Sequence, residues 1–553
     1  MLKFHKDDDR LLFLPLGGSG EIGMNLNLYG TKGRWMMVDC GMSFAGPEAP
    51  GVDLLFPDPM YIEEHADKLD GLLLTHGHED HIGAVGYLWE EFQCPVYATA
   101  FTAELVKDKL NELGILHAVP LEVVEPHQPI EIGPFTCRYI PLAHSIAEGH
   151  GVAIETHNRR IFHTGDWKLD NRPLIGPPSP SEHLTALGEQ GVDAVIGDST
   201  NVFNPSESGS ESAVRESLMD IIGGIQGRVV VTTFASNVAR LATIGEVAKR
   251  HGRHLVLVGR SMHRIYRAAK ATGYLKDFPP LVAEEDAIHL PRERTLICCT
   301  GCQGEPRAAL SRMSRSDHRY LEIQAGDTVI FSSKIIPGNE ITLGALFNAL
   351  TLMNVDVITE KDAFIHVSGH PGRAELKVMY DWLKPTSLIP VHGEPRHLKK
   401  HASLAGDFGI ANTVIPKNGD VIEIGKDFVR KIDEVPAGRL YLDGDLIVDH
   451  DDAGLVGRRR LLQNGVVSIA VLLSPDLSLV KAPQVTMMGL PGEQSENLEE
   501  VFEEAVQRFF DTLRSKRSVA DAMLEEGIRI AIRRKARKLT GRNPSVISHI
   551  VRE

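Results

Sequence analysis

The sequence predicts an α/β protein in which a second α/β unit is inserted into the first, followed by a small α+β unit. Three observations carry this. Short apolar strands alternate with amphipathic helical stretches from residue 11 to about residue 424, the pattern of a sheet covered by helices. Between residues 209 and 362 a self-contained alternation recurs, while the chemically distinctive residues lie on both sides of it. After about residue 426 the pattern changes to a connecting stretch, one long strand and two helices. With 553 residues the chain also exceeds what one hydrophobic core usually supports, so two or three domains are expected.

Taken in order, the apolar run 71–75 stops at His76, 161–165 stops at Asp166, 194–197 stops at Asp198, and 388–391 stops at His392. Polar groups gathered at the carboxyl ends of strands are what an α/β sheet offers a ligand. In the insertion, strands are expected at 229–233, 255–258, 295–300 and 328–332, with helices from Asn237 and after Glu305. Beyond it, 431–448 reads as a connector with the turn Asp443-Gly444, 466–473 as a strand, and 497–514 and 519–538 as helices. The expected division is 1–208 and 363–430 for the first domain, 209–362 for the inserted one, 431–450 for a linker and 451–553 for the C-terminal domain.

A hydrophobic fraction of 42% and a charged fraction of 24% are those of a soluble globular protein, and no stretch has the length and apolarity of a membrane span. Residues 1–10 are too polar for a signal peptide, and six cysteines make no disulfide framework, so a cytoplasmic location is expected. Cys298, Cys299 and Cys302 read as small buried residues rather than as a metal or redox site. The formal charge of -15 excludes indiscriminate nucleic-acid binding by the whole surface, but positive charge concentrates in Arg458-Arg459-Arg460 and between 529 and 542. For the run Arg533 to Lys538, a solvated face and an RNA contact both stand as readings. Phe502, Phe509, Phe510 and Leu513 lie on one side of their helix and suggest self-association through the C-terminal domain.

The chemistry is concentrated in His76-Gly77-His78-Glu79-Asp80-His81, four metal-ligand side chains in six residues after an apolar strand. Imidazole and carboxylate are ligands that Zn²⁺ prefers, and a tight turn at a strand end lets them face two ions. Ions about 3.5–4 Å apart can jointly bind attacking and leaving oxygens. His144 and Asp166 follow other strands, as does His392. The assignment is His76, His78 and His144 on one ion, Asp80, His81 and His392 on the other, and Asp166 shared between them. The competing reading, a histidine-rich loop without metal, fits poorly with three His and one Asp at this spacing. The glycine-rich stretch 17–23 lacks the Lys of a phosphate loop and is expected to turn tightly near the metals.

The H-x-H-x-D-H run, His144 and Asp166, together with the stretch 17–23 and Val38-Asp39-Cys40-Gly41, resemble the metallo-β-lactamase superfamily. The resemblance implies a four-layer αββα sandwich with a dinuclear zinc site. Asp198-Ser199-Thr200-Asn201, His370 in His366-Val367-Ser368-Gly369-His370 and His392 in Pro390-Val391-His392-Gly393-Glu394 are similar to the motifs of its β-CASP group, which are nucleases. Phe234-Ala235-Ser236-Asn237, Thr300-Gly301-Cys302-Gln303-Gly304-Glu305-Pro306 and Ser332-Ser333-Lys334-Ile335-Ile336-Pro337-Gly338-Asn339-Glu340 bring it closer to the bacterial ribonuclease J family. Cys302 departs from the serine common there. The likeness covers essentially the whole chain.

The resemblance implies a phosphodiester hydrolase with two Zn²⁺ per chain, or Mn²⁺ or Mg²⁺ in their place during activity. Asp80 would orient the attacking water or accept its proton. His370 would act as general acid, with Asp198 fixing its tautomer; a turn or helix-cap role is the alternative for Asp198. Ala235, Ser236, Asn237, His366, Val367, Ser368, Gly369 and His370 would surround a substrate phosphate with short donors. Also implied is single-stranded RNA as substrate, with 5′-to-3′ removal of nucleotides from 5′-monophosphate ends and additional internal cleavage, in mRNA decay and rRNA maturation. A homodimer or homotetramer formed through the C-terminal domain, partners in an RNA-degradation complex and no membrane are expected on the same ground. Asp53 and Asp443 are a weaker expectation, as a structural Ca²⁺ site. A lactonase- or thioesterase-type hydrolase of the same fold, and a non-catalytic RNA-binding scaffold, are the alternatives.

Overall fold

The computed structural model describes residues 4–491, 498–513 and 519–553. They form two compact units, Met1–Ser43 with Phe56–Gly438, and Phe44–Leu55 with Arg439–Glu553. The first is built on two large sheets. Eight strands run in the order Val429–Glu434, Asp420–Ile424, Leu11–Gly17, Leu26–Thr31, Arg34–Val38, Leu69–Leu73, Val96–Ala98 and Leu121–Val123. Seven more run in the order Asn412–Thr413, Ser387–Val391, Ala194–Asp198, Arg160–His163, Gly149–Glu155, Phe135–Leu142 and Pro129–Ile132.

Alternation along the strands sets the sheets face to face. Leu11, Phe13, Met36, Val38 and Leu73 of the first share a buried cluster with Tyr139, Val152, Ile154, Ile196 and Ile389 of the second. The intervening residues Ile140, Ala153, Phe162, Val195 and Leu388 point outward, against Leu184 and Leu187 of helix Ser181–Glu189 and Leu376, Met379 and Leu383 of helix Arg373–Leu383. Helix Ala100–Glu112 covers the other sheet along Val96–Ala98 and Leu121–Val123. This is the αββα sandwich. Burying each such aliphatic side chain stabilises by about 1.5–3 kcal/mol, so the strand ends that carry the polar residues rest on a stiff base.

The inserted region forms a five-stranded parallel sheet in the order His254–Val258, Thr295–Cys299, Val229–Thr232, Thr328–Phe331 and Asp356–Ile358. The three central strands are buried on both faces, which is why VVVT, TLICC and TVIF read as continuous apolar runs. Val229–Thr232 lies between strands that follow it by different routes, the place where an α/β sheet opens a crevice. The three motif segments beginning at Phe234, Thr300 and Ser332 start at or just beyond the ends of these strands. Cys298, Cys299 and Cys302 are buried free thiols, as expected.

In the second unit, Val466–Leu473 pairs antiparallel with Gln484–Met488 and parallel with Ser545–Arg552. Helices Leu498–Asp511 and Asp521–Thr540 pack on one face of this sheet. Residues 497 and 514, the expected ends of the first helix, lie outside the described residues. Two expectations are corrected here. Phe502, Phe510 and Leu513 belong to the unit's own core, with Phe509 against Gly527, so they are not a surface for a second copy. The stretch 431–450 is not a plain linker. Its first residues complete Val429–Glu434 at a sheet edge, and Arg439–Asp443 and Leu446–Asp449 form a hairpin that extends a sheet with Leu54–Pro57. Most residues of these strands are half-exposed or exposed, which removes the alternation that would have marked them.

Candidate metal centre and active site

The ligand run lies beyond strand Leu69–Leu73, and helix Glu79–Ile82 starts within it, so Asp80 and His81 are carried on its turn. The expected residues converge. Nε2 of His76 lies 3.1 Å and Nε2 of His144 3.0 Å from Nδ1 of His78. Asp166 Oδ2 lies 3.2 Å from Nε2 of His81, 3.3 Å from that of His392, and 3.9 and 3.8 Å from His76 and His144. Asp80 Oδ2 is 3.7 Å from both His81 and His392. Asp166 is thus the residue common to both groups.

Each imidazole of the two groups is turned by its outward nitrogen. His81 Nδ1 bonds Asp39 Oδ2 at 2.7 Å, His76 Nδ1 is 3.0 Å from Thr75 Oγ1, and His392 Nδ1 donates to Asn25 Oδ1 at 2.9 Å. Thr75 is itself held by both Asp39 oxygens, at 2.8 and 2.9 Å. His144 Nδ1 donates to the carbonyl of Gly369 at 2.6 Å, and His78 Nε2 meets Ser236 Oγ at 3.1 Å. These partners fix tautomer and ring orientation, the task that carboxylates and carbonyls perform around metal-bound histidines. Asp39 and His392 sit just past strand ends in the left-handed region, with φ of 63° and 51°, a backbone strain that aims them inward. Gly41 has no alternative: a Cβ there would lie 1.7 Å from the carbonyl oxygen of Asp80.

Burial and the neighbouring imidazoles hold His76 and His78 well below the usual histidine range, and burial brings His144 to about 3. All three are therefore neutral, with lone pairs free to ligate. Burial is the largest single effect on His81 and His392 and disfavours their charge, but Asp166 together with Asp39 and Asp80 around His81, and with Asp198 and Asp80 around His392, raises both. Burial pushes Asp166 up; His392 and His81 more than reverse this, and the carboxylate stays ionised. The donor set fits a pair of divalent ions. Ligands bonded to Zn²⁺ at 2.0–2.1 Å in a tetrahedron lie about 3.4 Å from one another, close to the spacing of the three histidine nitrogens. Asp166 Oδ1 is buried without a protein partner, an atom that an ion would satisfy.

His370 adjoins this cluster, with Nδ1 2.8 Å from Asp198 Oδ2 and 3.9 Å from Asp166 Oδ2. Burial lowers its pKa, but Asp198 and then Asp166 prevail and hold it at about 9. Asp198 also accepts from the Thr200 N–H at 2.9 Å, so the orienting role and the turn role are both filled. Asn201 anchors the His370 carbonyl at 3.1 Å.

Several of the residues expected to hold phosphate have other partners in this structure. Asn237 is buried; its Oδ1 caps helix Val238–Arg250 through the Arg240 N–H, and its Nδ2 donates to Glu211. Both ends of its amide are taken, so it supports the loop and does not reach a ligand. Ser236 holds His78, and Val367 is buried against Gly209. Ser368 Oγ bonds within its own turn, accepting from the His370 N–H at 3.1 Å. Gly369 lets the loop approach His144, since a Cβ would lie 2.9 Å from that ring. No acceptor among the described residues takes the N–H of Ser368 or Gly369, which leaves backbone donors for an anion. Ala235 and His366 are half-buried at the loop surfaces.

Sequence reasoning missed Asn25, Thr75 and the orienting part of Asp39. Asp39 carried the same signal as Asp166, a carboxylate just after an apolar strand; Asn25 carried none. The expected Ca²⁺ site is not shown: Asp443 makes paired bonds of 2.7 and 2.6 Å to Arg458, a cation that already neutralises it. Among the described residues, neither it nor Asp53 belongs to a group of three or more metal-ligand side chains.

Four family models match the chain. They are described as a beta-lactamase superfamily domain over residues 34–178, a ribonuclease J beta-CASP domain over 226–350, a Zn-dependent metallo-hydrolase RNA specificity domain over 354–416 and a ribonuclease J C-terminal domain over 454–553. Ribonuclease J of Sinorhizobium meliloti is 40% identical, with 100% of this chain and 99% of the relative covered. Ribonuclease J of Mycolicibacterium smegmatis is 36% identical over 97% and 96%. A solved structure of a protein of unknown function from Enterococcus faecalis shares the fold at 14% identity, with a TM-score of 0.52 over 75% of this chain and 100% of that one. With His and Asp groups that could hold metal on an αββα sandwich, and relatives of one kind matched over nearly their whole length, the chain belongs to the ribonuclease J family, metal-dependent nucleases that hydrolyse RNA.

Proposed function

We propose that this chain hydrolyses single-stranded RNA with two Zn²⁺, removing nucleotides 5′-to-3′ from 5′-monophosphate ends and also cutting internally, in cytoplasmic mRNA decay and rRNA maturation. The observation that carries this is His370, held at 2.8 Å by Asp198 beside the shared ligand Asp166 and on the same loop as the N–H groups of Ser368 and Gly369.

His76, His78 and His144 would hold one ion, Asp80, His81 and His392 the other, and Asp166 both. Ions bound there would bring the pKa of water toward about 7 and draw charge from the phosphoryl oxygens. Asp80, whose side chain is 30% exposed, reaches solvent and would accept or direct the proton of the attacking water. His370, with Nδ1 committed to Asp198, presents Nε2 to protonate the leaving oxygen. Amide N–H groups of the 366–370 loop would receive a phosphate one step from the cut, which favours an end over an interior position. Self-association as a homodimer or homotetramer through the C-terminal unit, and partners in RNA degradation, belong to the same proposal. Among the described residues no helix is long and apolar enough to cross a membrane.

Degradation of one RNA carrying a 5′-monophosphate, a 5′-triphosphate or a 5′-hydroxyl tests the end preference. The monophosphate should be consumed fastest, with mononucleotides released from the 5′ side; equal rates on all three would overturn it.

A further inference from the structure

We propose that the C-terminal unit carries a second RNA-binding surface, where Arg460 of helix Ala453–Asn464 and Arg533, Arg534 and Arg537 of helix Asp521–Thr540 contact strand phosphates. It rests on the RNA substrate proposed above, and concerns residues outside the metal site.

The sequence contains eight Lys and Arg and no Asp or Glu between 527 and 552, and three Arg and no acid between 453 and 475. The fold brings these two segments together. Arg460, Asn464, Arg533, Asn543 and Ser545 line one concavity of about 570 Å³. Its walls are fixed from both sides: the Asn543 N–H donates to Asn464 Oδ1 at 3.2 Å, the Ser545 N–H to the Gly465 carbonyl at 3.0 Å, and Arg533 Nε to the Pro544 carbonyl at 3.0 Å. Four other cations of this unit are paired with carboxylates, Arg458 with Asp443, Arg508 with Glu504, Arg529 with Glu526 and Arg552 with Asp521. Among the described residues, Arg460, Arg533, Arg534, Lys535, Arg537, Lys538 and Arg542 are in no ion pair with a carboxylate, although Arg533 lies near enough to Glu526 to act on its charge.

Compensation of the helix dipole explains basic residues in the last turn of Asp521–Thr540. It does not explain Arg460, which comes from another helix, or Arg533, two turns from the end. Like charges at i,i+3 and i,i+4, as in 533/537, 534/537 and 534/538, repel one another, and a polyanion relieves that repulsion. Asn464, Asn543 and Ser545 add amide and hydroxyl donors of the kind that contact nucleic-acid backbones without reading sequence. The net charge of -15 over the chain makes the concentration of unpaired cations here a local feature that steers an anionic strand.

The test uses the full chain with Arg460→Ala, Arg534→Ala and Arg537→Ala combined. All three are exposed, and Arg533, which braces Pro544, is left intact. Binding of a phosphorothioate-linked RNA of about 30 nucleotides is followed by fluorescence anisotropy across a salt series, and hydrolysis is followed on a short 5′-monophosphate RNA. The triple variant should bind the long RNA about tenfold more weakly, with the salt slope reduced by about 2, at roughly 0.7 for each phosphate left unneutralised. Short-RNA hydrolysis should be unchanged. Unaltered affinity and slope overturn the proposal, as does a parallel loss on the short RNA, which would trace the effect to the active site. A polyglutamate peptide that binds the wild-type protein as tightly as RNA does, through the same three residues, would overturn it in favour of an acidic protein partner. Failure of short-RNA hydrolysis in the wild-type protein would instead refute the proposed function.

Discussion

The two halves of the ligand set are braced from different parts of the chain. His81 and His392, which share Asp80, are turned by Asp39 and Asn25, both near the ends of sandwich strands. His78 and His144, which share His76, are turned by Ser236 inside the insertion and Gly369 just after it. The sandwich therefore braces one half of the site and, through Thr75, His76 of the other, whereas His78 is held from the insertion by Ser236 and His144 by Gly369 just beyond it. Placing the loop that carries Gly369 also places the His144 imidazole, and Ser236 ties the insertion to His78.

Asp166→Ala should abolish the difference between the halves altogether, because it takes away the ligand common to both. Metal analysis should find both ions lost and hydrolysis below detection; retention of one ion at full occupancy would show that Asp166 serves only one half. A sharper probe sets Asp39→Ala against Ser236→Ala. Loss of a group orienting a ligating histidine usually costs about 10–100-fold in metal affinity or activity. Asp39→Ala should approach the upper end, because Asp39 holds both His81 and Thr75, while Ser236→Ala should stay near the lower end and weaken the other ion. Metal titration that shows both ions weakened equally in either variant would erase the distinction. The mildest change belongs to Asn237→Ala. Loss of a helix cap costs about 1 kcal/mol, so the midpoint of thermal unfolding should fall slightly while KM for a 5′-monophosphate RNA is retained. A large rise in KM without loss of stability would return Asn237 to the phosphate pocket.

Much of the sandwich half was legible in the sequence, because its ligands are rare residue types placed just after buried strands. Asp80 and His81 stand beside two ligands of the other half in the crowded run His76 to His81, and Asp166 and His392 stand out against apolar runs. Asp198 stood at a strand end in the same way, whereas His370 was singled out only by its resemblance to a β-CASP motif. The insertion side was harder to read. Ser236 and Asn237 look like phosphate donors by residue type, and only the fold shows that one reaches His78 and the other Arg240 and Glu211. Asn25 lies in a loop without periodicity and has no sequence signal for its contact with His392. The C-terminal unit misled in another way: its aromatic stripe marked an internal core, since amphipathic spacing shows that a face is buried and not what buries it.

In this reading the metals and the proton donor are separate parts of one site, and His370 stands outside the ligand set. Metal content and RNA hydrolysis of His370→Ala, measured on the same preparation, bear on that separation without an intermediate step. The variant should retain two ions per chain while hydrolysis falls by about 10²–10⁴-fold, the usual contribution of a general acid. Loss of an ion in parallel with activity would make His370 a ligand and refute the separation.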